Sequence, residues 1–391
     1  MNEVSEPGDQ AALVNAQRVF GLVLEDAMAL RPGLSDLQFL GDQRMWTVAQ
    51  KVNLPSEQVV STEVLRSWAG AFGGSRGGLS ALDGSAGTLE CAVTVNDRRC
   101  RLTFRRQNNG LALAVRVLPA SIPAATGPFY ASNPIPQHVI DVVLAARPGI
   151  GLVCGPVESG KSTLLASLCE LFNETRPGHI MTLEDPIEYV FQEKRSRISQ
   201  REVPLHVASF AQGLVTAKRS TPSVLVVGEL RDAATMRTAL DCAAQGNLVL
   251  ATSHASNAVS ALAEFLFSFG EAEIALVRQR LSEVLRFVMM QQLITTEAGE
   301  VIPVRELLLG SPTVRANIAD NNFDEITREL QSRSSGVASF SLERELWRLV
   351  NLGRFSRSVA LRVASNIGEL QAAWHVTDDE VAALLAEVPR D

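Results

Sequence analysis

The sequence predicts an α/β protein built around a parallel sheet that carries a phosphate-binding loop, with a smaller α+β domain before it and a helical region after it. Three observations predict this. Short, continuously apolar runs at Gly149–Cys154, 179–183, Val224–Val227 and 248–251 alternate with helical stretches, the pattern of parallel strands buried on both faces. The first run leads into GPVESGKST, residues 155–163, which opens an amphipathic helix over 161–172. Upstream, a helical period over 12–29 is followed by alternating, Val- and Leu-rich segments at Thr88–Val95 and 111–118, which read as strands of a separate unit.

The 391 residues are enough for two or three domains. Residues 1–10 read as a loose tail and 11–119 as the α+β domain. Residues 120–135, ASIPAATGPFYASNPI, have the Pro, Ala and Ser content of a linker. Residues 136–391 form the parallel-sheet domain, whose pattern from about residue 271 onward is mostly helical. Within that part, 341–352 and 356–364 are candidate helices separated by Gly353, and Thr377-Asp-Asp-Glu380 is a capping box for a last one. The glycine-dense stretch 69–87 reads as a flexible surface loop. It is not a second phosphate loop, because no strand-then-helix context frames it.

Hydrophobic content of 46% and charged content of 20% describe an ordinary globular chain. A net charge of −7, with no run of Lys or Arg longer than two, argues against a nucleic-acid-binding protein. Cys91, Cys100, Cys154, Cys169 and Cys242 form no C-x-x-C pair, so a zinc site is not expected; scattered thiols fit a reducing, cytoplasmic setting. The N-terminus MNEVSEPGDQ is too polar for a signal peptide. The most apolar segment, 248–269, is interrupted by His254, Asn257 and Glu264, so no spanning helix is expected.

Each residue type in the loop has a chemical reason. The glycines let the backbone turn so that successive N–H groups face phosphate oxygens, and the helix N-terminus adds positive potential. Lys161 is placed to reach the β and γ phosphates, and the Ser162 hydroxyl to ligate Mg²⁺. Gly155, Pro156, Val157, Glu158, Ser159, Gly160 and Thr163 complete the cradle. Such a loop needs carboxylates at neighbouring strand ends, where ligands bind in parallel sheets. MTLEDPIEYVF (181–191) supplies Glu184, Asp185 and Glu188, and SVLVVGELRD (223–232) supplies Glu229. One would hold Mg²⁺ through water, the other would orient or deprotonate the attacking water. In LVLATSHASNA (248–258) another apolar strand ends in Thr252, Ser253 and His254, and His254 is placed to sense the γ phosphate.

These motifs, in this order, resemble the type II/IV secretion ATPases, and their spacing is similar to the PilT-type branch of pilus-retraction motors and the related ATPases of type IVB secretion and conjugation. The segments GPVESGKST, LEDPIEYV, ISQREV, VLVVGELRD and LVLATSHASNA carry the likeness. VMMQQLI, PTVRANIAD and FSRSVALRVASNIGEL downstream, and LSDLQFL, RCRLTF and VRVLP upstream, extend it over most of residues 12–370. The resemblance implies a PAS-like N-terminal domain, a RecA-like ATPase domain and a homo-hexameric ring that binds ATP and Mg²⁺ and docks on an inner-membrane platform protein. It implies Glu184 as the catalytic glutamate, Glu229 as the Walker B glutamate near Mg²⁺ and His254 as the His-box histidine. Arg99, Arg101 and Arg116 would be the arginines delivered to the phosphates. A nucleotide-binding regulatory subunit and a RecA-type nucleic-acid translocase are the alternatives.

The departures are specific. Val157-Glu158 stands where the family has Thr-Gly, 218–223 (KRSTPS) replaces an acidic segment, and Asn247 replaces a first histidine. The zinc-binding cysteine pairs of the export ATPases are absent. A loop position that is usually Gly calls for positive φ, which costs a non-Gly residue on the order of 1 kcal/mol. At about 7 Å from one phosphate charge, the Glu158 carboxylate adds roughly 0.6 to 2.4 kcal/mol of repulsion. Weaker nucleotide affinity is expected, not its loss.

Overall fold

The structure is a computed structural model that describes residues 7–31, 34–49, 52–85, 87–119, 121–331, 338–377, 379–381 and 384. They divide into two compact units. The first takes in the chain up to Ile122 together with Glu184–Val190 and Glu202–Ala208; the second comprises Pro123–Leu183, Phe191–Arg201 and the chain from Ser209.

The first unit is a six-stranded antiparallel sheet with helices on one face. In chain order it contains α1 (Pro7–Leu30), β1 (Leu34–Leu40), β2 (Gln43–Ala49), β3 (Val52–Val60), α2 (Thr62–Gly73), α3 (Gly78–Asp83), β4 (Thr88–Val95), β5 (Arg98–Gln107) and β6 (Gly110–Val117). The strand order is β3-β2-β1-β6-β5-β4. On α1, Ala16, Phe20, Leu24 and Ala27 recur at helical spacing and are buried. On α2 the Trp68 ring packs edge-on against Phe20 and Phe39, with centroids 5.1 and 5.9 Å away. Ser61 caps α2 by accepting from the Val64 N–H.

Two expectations change here. Residues 1–6 of the expected tail lie outside the described residues, while 7–10 already belong to α1. The glycine-dense stretch is mostly helical: α2 runs to Gly73, a 3₁₀ turn covers Gly74–Arg76, and α3 follows. Burial of Trp68, Ala69 and Leu82 outweighs the weak helix propensity of glycine. Gly77, at φ +90°, makes the left-handed turn between the helices.

The second unit is a seven-stranded sheet covered by helices. Its first half contains α4 (Gln137–Leu144), β7 (Gly149–Cys154), α5 (Lys161–Thr175), β8 (Gly178–Glu184), β9 (Ser196–Glu202), α6 (Phe210–Ala217), β10 (Val224–Val227), α7 (Ala233–Ala244) and β11 (Leu248–Thr252). It continues with α8 (Ala258–Phe267), α9 (Glu271–Val284), β12 (Leu285–Thr295), β13 (Val301–Leu309), α10 (Pro312–Ala319), α11 (Phe323–Gln331), α12 (Leu342–Asn351), α13 (Arg357–Val363) and α14 (Ile367–Trp374). The strand order is β13-β12-β7-β11-β10-β8-β9. Strands β12, β7, β11, β10 and β8 run parallel, and β13 pairs antiparallel with β12.

The region after residue 271 is therefore not helical throughout, because β12 and β13 extend the sheet. Six of the first seven residues of β12 are buried, so the strand shows neither alternation nor a helical period. The expected linker also has structure of its own. Its Pro128–Tyr130 segment is a 3₁₀ turn, and Tyr130, Asn133 and Ile135 are buried in the second unit. The capping box forms reciprocally: Glu380 N–H donates to Thr377 Oγ1 at 3.3 Å, and Thr377 N–H to Glu380 Oε2 at 2.8 Å. Most of the helix expected after it lies outside the described residues.

Candidate active site

The phosphate-binding loop sits between β7 and α5, at the carboxyl end of a strand flanked by β11 and β12. Its backbone turns through positive φ at Gly155 (142°), Glu158 (67°) and Gly160 (79°). A Cβ on Gly155 would run into the backbone carbonyl of Gln291, so only glycine fits there. Gly160 begins α5 without a side-chain cap, so the positive N-terminal end of this 15-residue helix faces the loop. The Lys161 ammonium donates to the carbonyls of Gly155 and Pro156, each at 2.7 Å. Ser162 is exposed. The Ser159 hydroxyl is buried with no protein partner among the described residues. A glycine-lined turn, a helix N-terminus, a lysine and the unpartnered Ser159 hydroxyl fit a polyphosphate.

Glu158 occupies the left-handed conformation that the sequence predicts for it, and its side chain is exposed. Val157 beside it is 72% exposed. The backbone therefore carries the strain expected at this position.

Glu229 and His254 are brought together by the ends of adjacent strands. Gly228 N–H bonds to Leu183 O at 2.7 Å, and Leu230 N–H bonds to Thr252 O at 3.1 Å. The Thr252 hydroxyl adds a short bond to Gly228 O. These bonds tie the turn after β10 to the ends of β8 and β11. As a result, His254 Nε2 lies 3.1 Å from Glu229 Oε1, and Arg231 Nε lies 2.6 Å from Glu229 Oε2. The carboxylate is mostly buried, while the imidazole is half exposed.

Arg99, Arg101 and Arg116 belong to the first unit, on β5 and β6. Arg101 and Arg116 are direct cross-strand neighbours, a like-charge pairing that Glu90 (3.0 Å from Arg101) and Asp36 (2.9 Å from Arg116) offset. Arg99 donates to Ile187 O at 2.8 Å and approaches Glu202 at 3.5 Å. Glu184 closes β8, and the Asp185 that follows it is held by Arg76 at 3.1 Å.

Arg76 is a residue that sequence reasoning passed over. It lies in the glycine-dense stretch, yet its guanidinium also reaches Glu202 at 2.7 Å and Val203 O at 2.9 Å. Burial opposes its charge, but the bonds to Glu202 and Asp185 outweigh that and hold its pKa above the usual value. The signal was a lone arginine among glycines and small residues. Gln291 and Arg305 were also missed; the signal for Arg305 was a single cation inside the apolar run VIPVRELLL.

The departures from the family pattern have local partners. Lys218 pairs with Asp241 at 3.4 Å, and the Asn247 amide donates to Pro222 O at 2.6 Å. Asn247 precedes β11 while His254 follows it, so the two lie at opposite ends of that strand. All five cysteines are unpaired and buried, and burial pushes the Cys91 thiol up to about 12.

Comparison with known proteins identifies the family. The family described as "Type II/IV secretion system protein" matches residues 92–337. A twitching motility protein of Neisseria gonorrhoeae is 40% identical over 220 residues, which is 56% of this chain and 58% of that one. The type IV pilus retraction ATPase PilT of Pseudomonas aeruginosa is 34% identical over 262 residues, covering 67% of this chain and 74% of that one. The crystal structure of the pilus retraction motor PilT with bound ADP superposes with a TM-score of 0.77 at 27% identity, over 90% of this chain and 98% of that one. No helix among the described residues is long and apolar enough to cross a membrane. Because the family model spans more than half of the chain and the PilT relatives match across its phosphate-loop region, the chain belongs to the type II/IV secretion system protein family, in its PilT-like branch.

Proposed function

We propose that the chain is an ATP-hydrolysing motor of a type IV pilus or secretion machine, working as a homo-hexameric ring on the cytoplasmic face of the inner membrane. The observation that carries this is the phosphate-binding loop on β7 and α5 with the Glu229–His254 pair at neighbouring strand ends. Lys161 binds the β and γ phosphates, and the open amides of α5 orient them. Ser162 and Glu229 would hold Mg²⁺, which would neutralise charge on the phosphates. Glu184 orients and deprotonates the attacking water, and His254 responds to the γ phosphate through its contact with Glu229. Arg99, Arg101 and Arg116 neutralise charge that develops on the transferred group. Turnover drives motion of one protomer against the next, and an inner-membrane platform protein receives it.

One assay on the purified full chain tests this: Mg²⁺-dependent phosphate release together with particle mass in ATP. A hexamer with turnover that Glu184→Gln abolishes supports the reading. A strict monomer at micromolar concentration, or turnover that Glu184→Gln leaves intact, defeats it.

A second reading rests on Glu158, whose φ of 67° and carboxylate both weigh against tight binding. In that reading the chain binds nucleotide and regulates a competent motor. It requires ATP binding without turnover by the wild-type chain.

A further inference from the structure

The phosphate-binding loop rests on a buried polar network centred on Gln291, in the segment VMMQQLI, and on Arg305. Gln291, on β12, is 1% exposed and donates its Nε2 to the Ser159 carbonyl at 2.9 Å. Its own carbonyl is the wall that restricts residue 155 to glycine, and its amide lies 3.1 Å from where a Gly160 Cβ would stand. Gln291 therefore meets the loop at three points.

An amide can face either way, and Arg305 decides which. Arg305 Nε donates to Gln291 Oε1 at 2.8 Å. Because a guanidinium has donors only, it must face the amide oxygen, which turns the amide nitrogen toward Ser159 O. Arg305 is itself fixed. Its Nη1 donates to Asn133 O at 3.0 Å and Pro134 O at 3.1 Å, and its guanidinium stacks on Tyr130, 5.5 Å from the ring centroid. Tyr130 continues to the far end of the loop: its hydroxyl meets Ser167 Oγ at 3.1 Å, which donates to Thr163 O at 2.8 Å.

Asn133 links this cluster to α12. Its Nδ2 donates to Glu345 Oε1 at 2.7 Å, and its Oδ1 accepts from Arg348 Nη2 at 2.7 Å. Arg348 and Glu345 pair at 2.8 Å. A fully buried arginine is costly, and packed apolar residues often replace such groups without loss of stability. Burial also pulls the Arg305 pKa down to about 10. Stability alone therefore gives no reason for a cation here, whereas the orientation of Gln291 does.

We propose that Arg305 is a positioning residue for the phosphate-binding loop: it locks the Gln291 amide onto Ser159, and the Glu345–Arg348 pair on α12 sets Arg305 through Asn133. Nucleotide affinity is thereby coupled to the C-terminal helices. The inference rests on the ATPase reading above.

The test is ADP titration and thermal melting of the full chain with two substitutions and their combination. Gln291→Glu keeps the shape and gives Arg305 a counter-charge, but turns an acceptor toward Ser159 O. It should weaken ADP binding at least about ten-fold while the melting midpoint stays within about 3 °C of wild type, a split that a purely structural role would not produce. Arg348→Ala, which contacts the loop only through the network, should weaken binding about three-fold alone and have no further effect in the Gln291→Glu background. Additive losses, affinity losses that merely follow the melting midpoint, or Gln291→Glu binding like wild type would overturn the proposal. If the wild-type chain binds no ADP, the ATPase reading falls first and this inference with it. If wild type binds and Gln291→Glu binds equally well, this inference alone falls.

Discussion

His254 Nε2 and Glu229 Oε1 stand 3.1 Å apart although they follow different strands, because bonds between the ends of β8, β10 and β11 hold the two turns together. On the function proposed above, Lys161 and the N-terminus of α5 would grip the phosphates and His254 would report on them through Glu229. His254→Ala should therefore lower ATP turnover about 10²-fold while changing ADP affinity less than about three-fold. Single-turnover hydrolysis and an ADP titration separate the two effects. Equal losses in both would assign His254 to binding instead.

Glu158 combines a left-handed backbone with a carboxylate beside the phosphate cradle. Glu158→Gly removes both penalties and should tighten ATP binding roughly ten-fold. Glu158→Gln keeps the backbone strain and removes the charge, so it should recover only part of the gain. An unchanged or weaker affinity for the Gly variant in a binding titration would show that the residue does not limit affinity.

Arg76 joins Asp185 and Glu202, and Glu202 is buried. Removing the arginine leaves a buried carboxylate with the Ile187 N–H bond at 3.0 Å and Arg99 at 3.5 Å. Arg76→Ala should destabilise the protein by about 3 kcal/mol and, because Asp185 follows Glu184, also slow hydrolysis. Urea unfolding followed by turnover at low denaturant checks both. A stability loss under about 1 kcal/mol would mean the pairs are worth no more than surface pairs.

Glu306 is buried, and desolvation holds its pKa above the usual value against the N–H bond that it accepts from Ala258. A raised carboxylate pKa means that the folded state binds the proton more tightly. Its contribution is thus fully present below the unfolded pKa and is lost as pH rises through the folded one. Glu306→Gln accepts the same bond without ionising. Its melting midpoint should exceed that of wild type at pH 8 by about 1–2 °C, equivalent to ~1 kcal/mol, and by less at pH 5. A difference that is constant with pH would refute the assignment.

The parallel strands and the loop were legible because each element speaks locally: Gly149–Cys154 is apolar throughout, and GPVESGKST has few other uses. Glu229 and His254 were legible as strand-end residues, although their contact was not, since it depends on bonds between segments 24 residues apart. Strand β12 was hidden because burial on both faces erases its period. Arg76 was hidden because Gly73, Gly74, Gly77 and Gly78 suggest a loose loop, while the packing of Trp68 and Leu82 that makes the stretch helical is tertiary. Gln291 and Arg305 are ordinary residue types whose meaning comes only from what lies across the sheet.

The placement of β12 beside β7 bears on how this protein can be dissected. The segments that carry the nucleotide-site motifs, from GPVESGKST to LVLATSHASNA, all end by residue 258, which invites a minimal fragment cut just beyond it. Such a fragment would lack the strand that walls Gly155 and supports Ser159. The recognisable signature and the smallest piece of chain able to hold its shape are therefore different objects, and the second extends at least through β13.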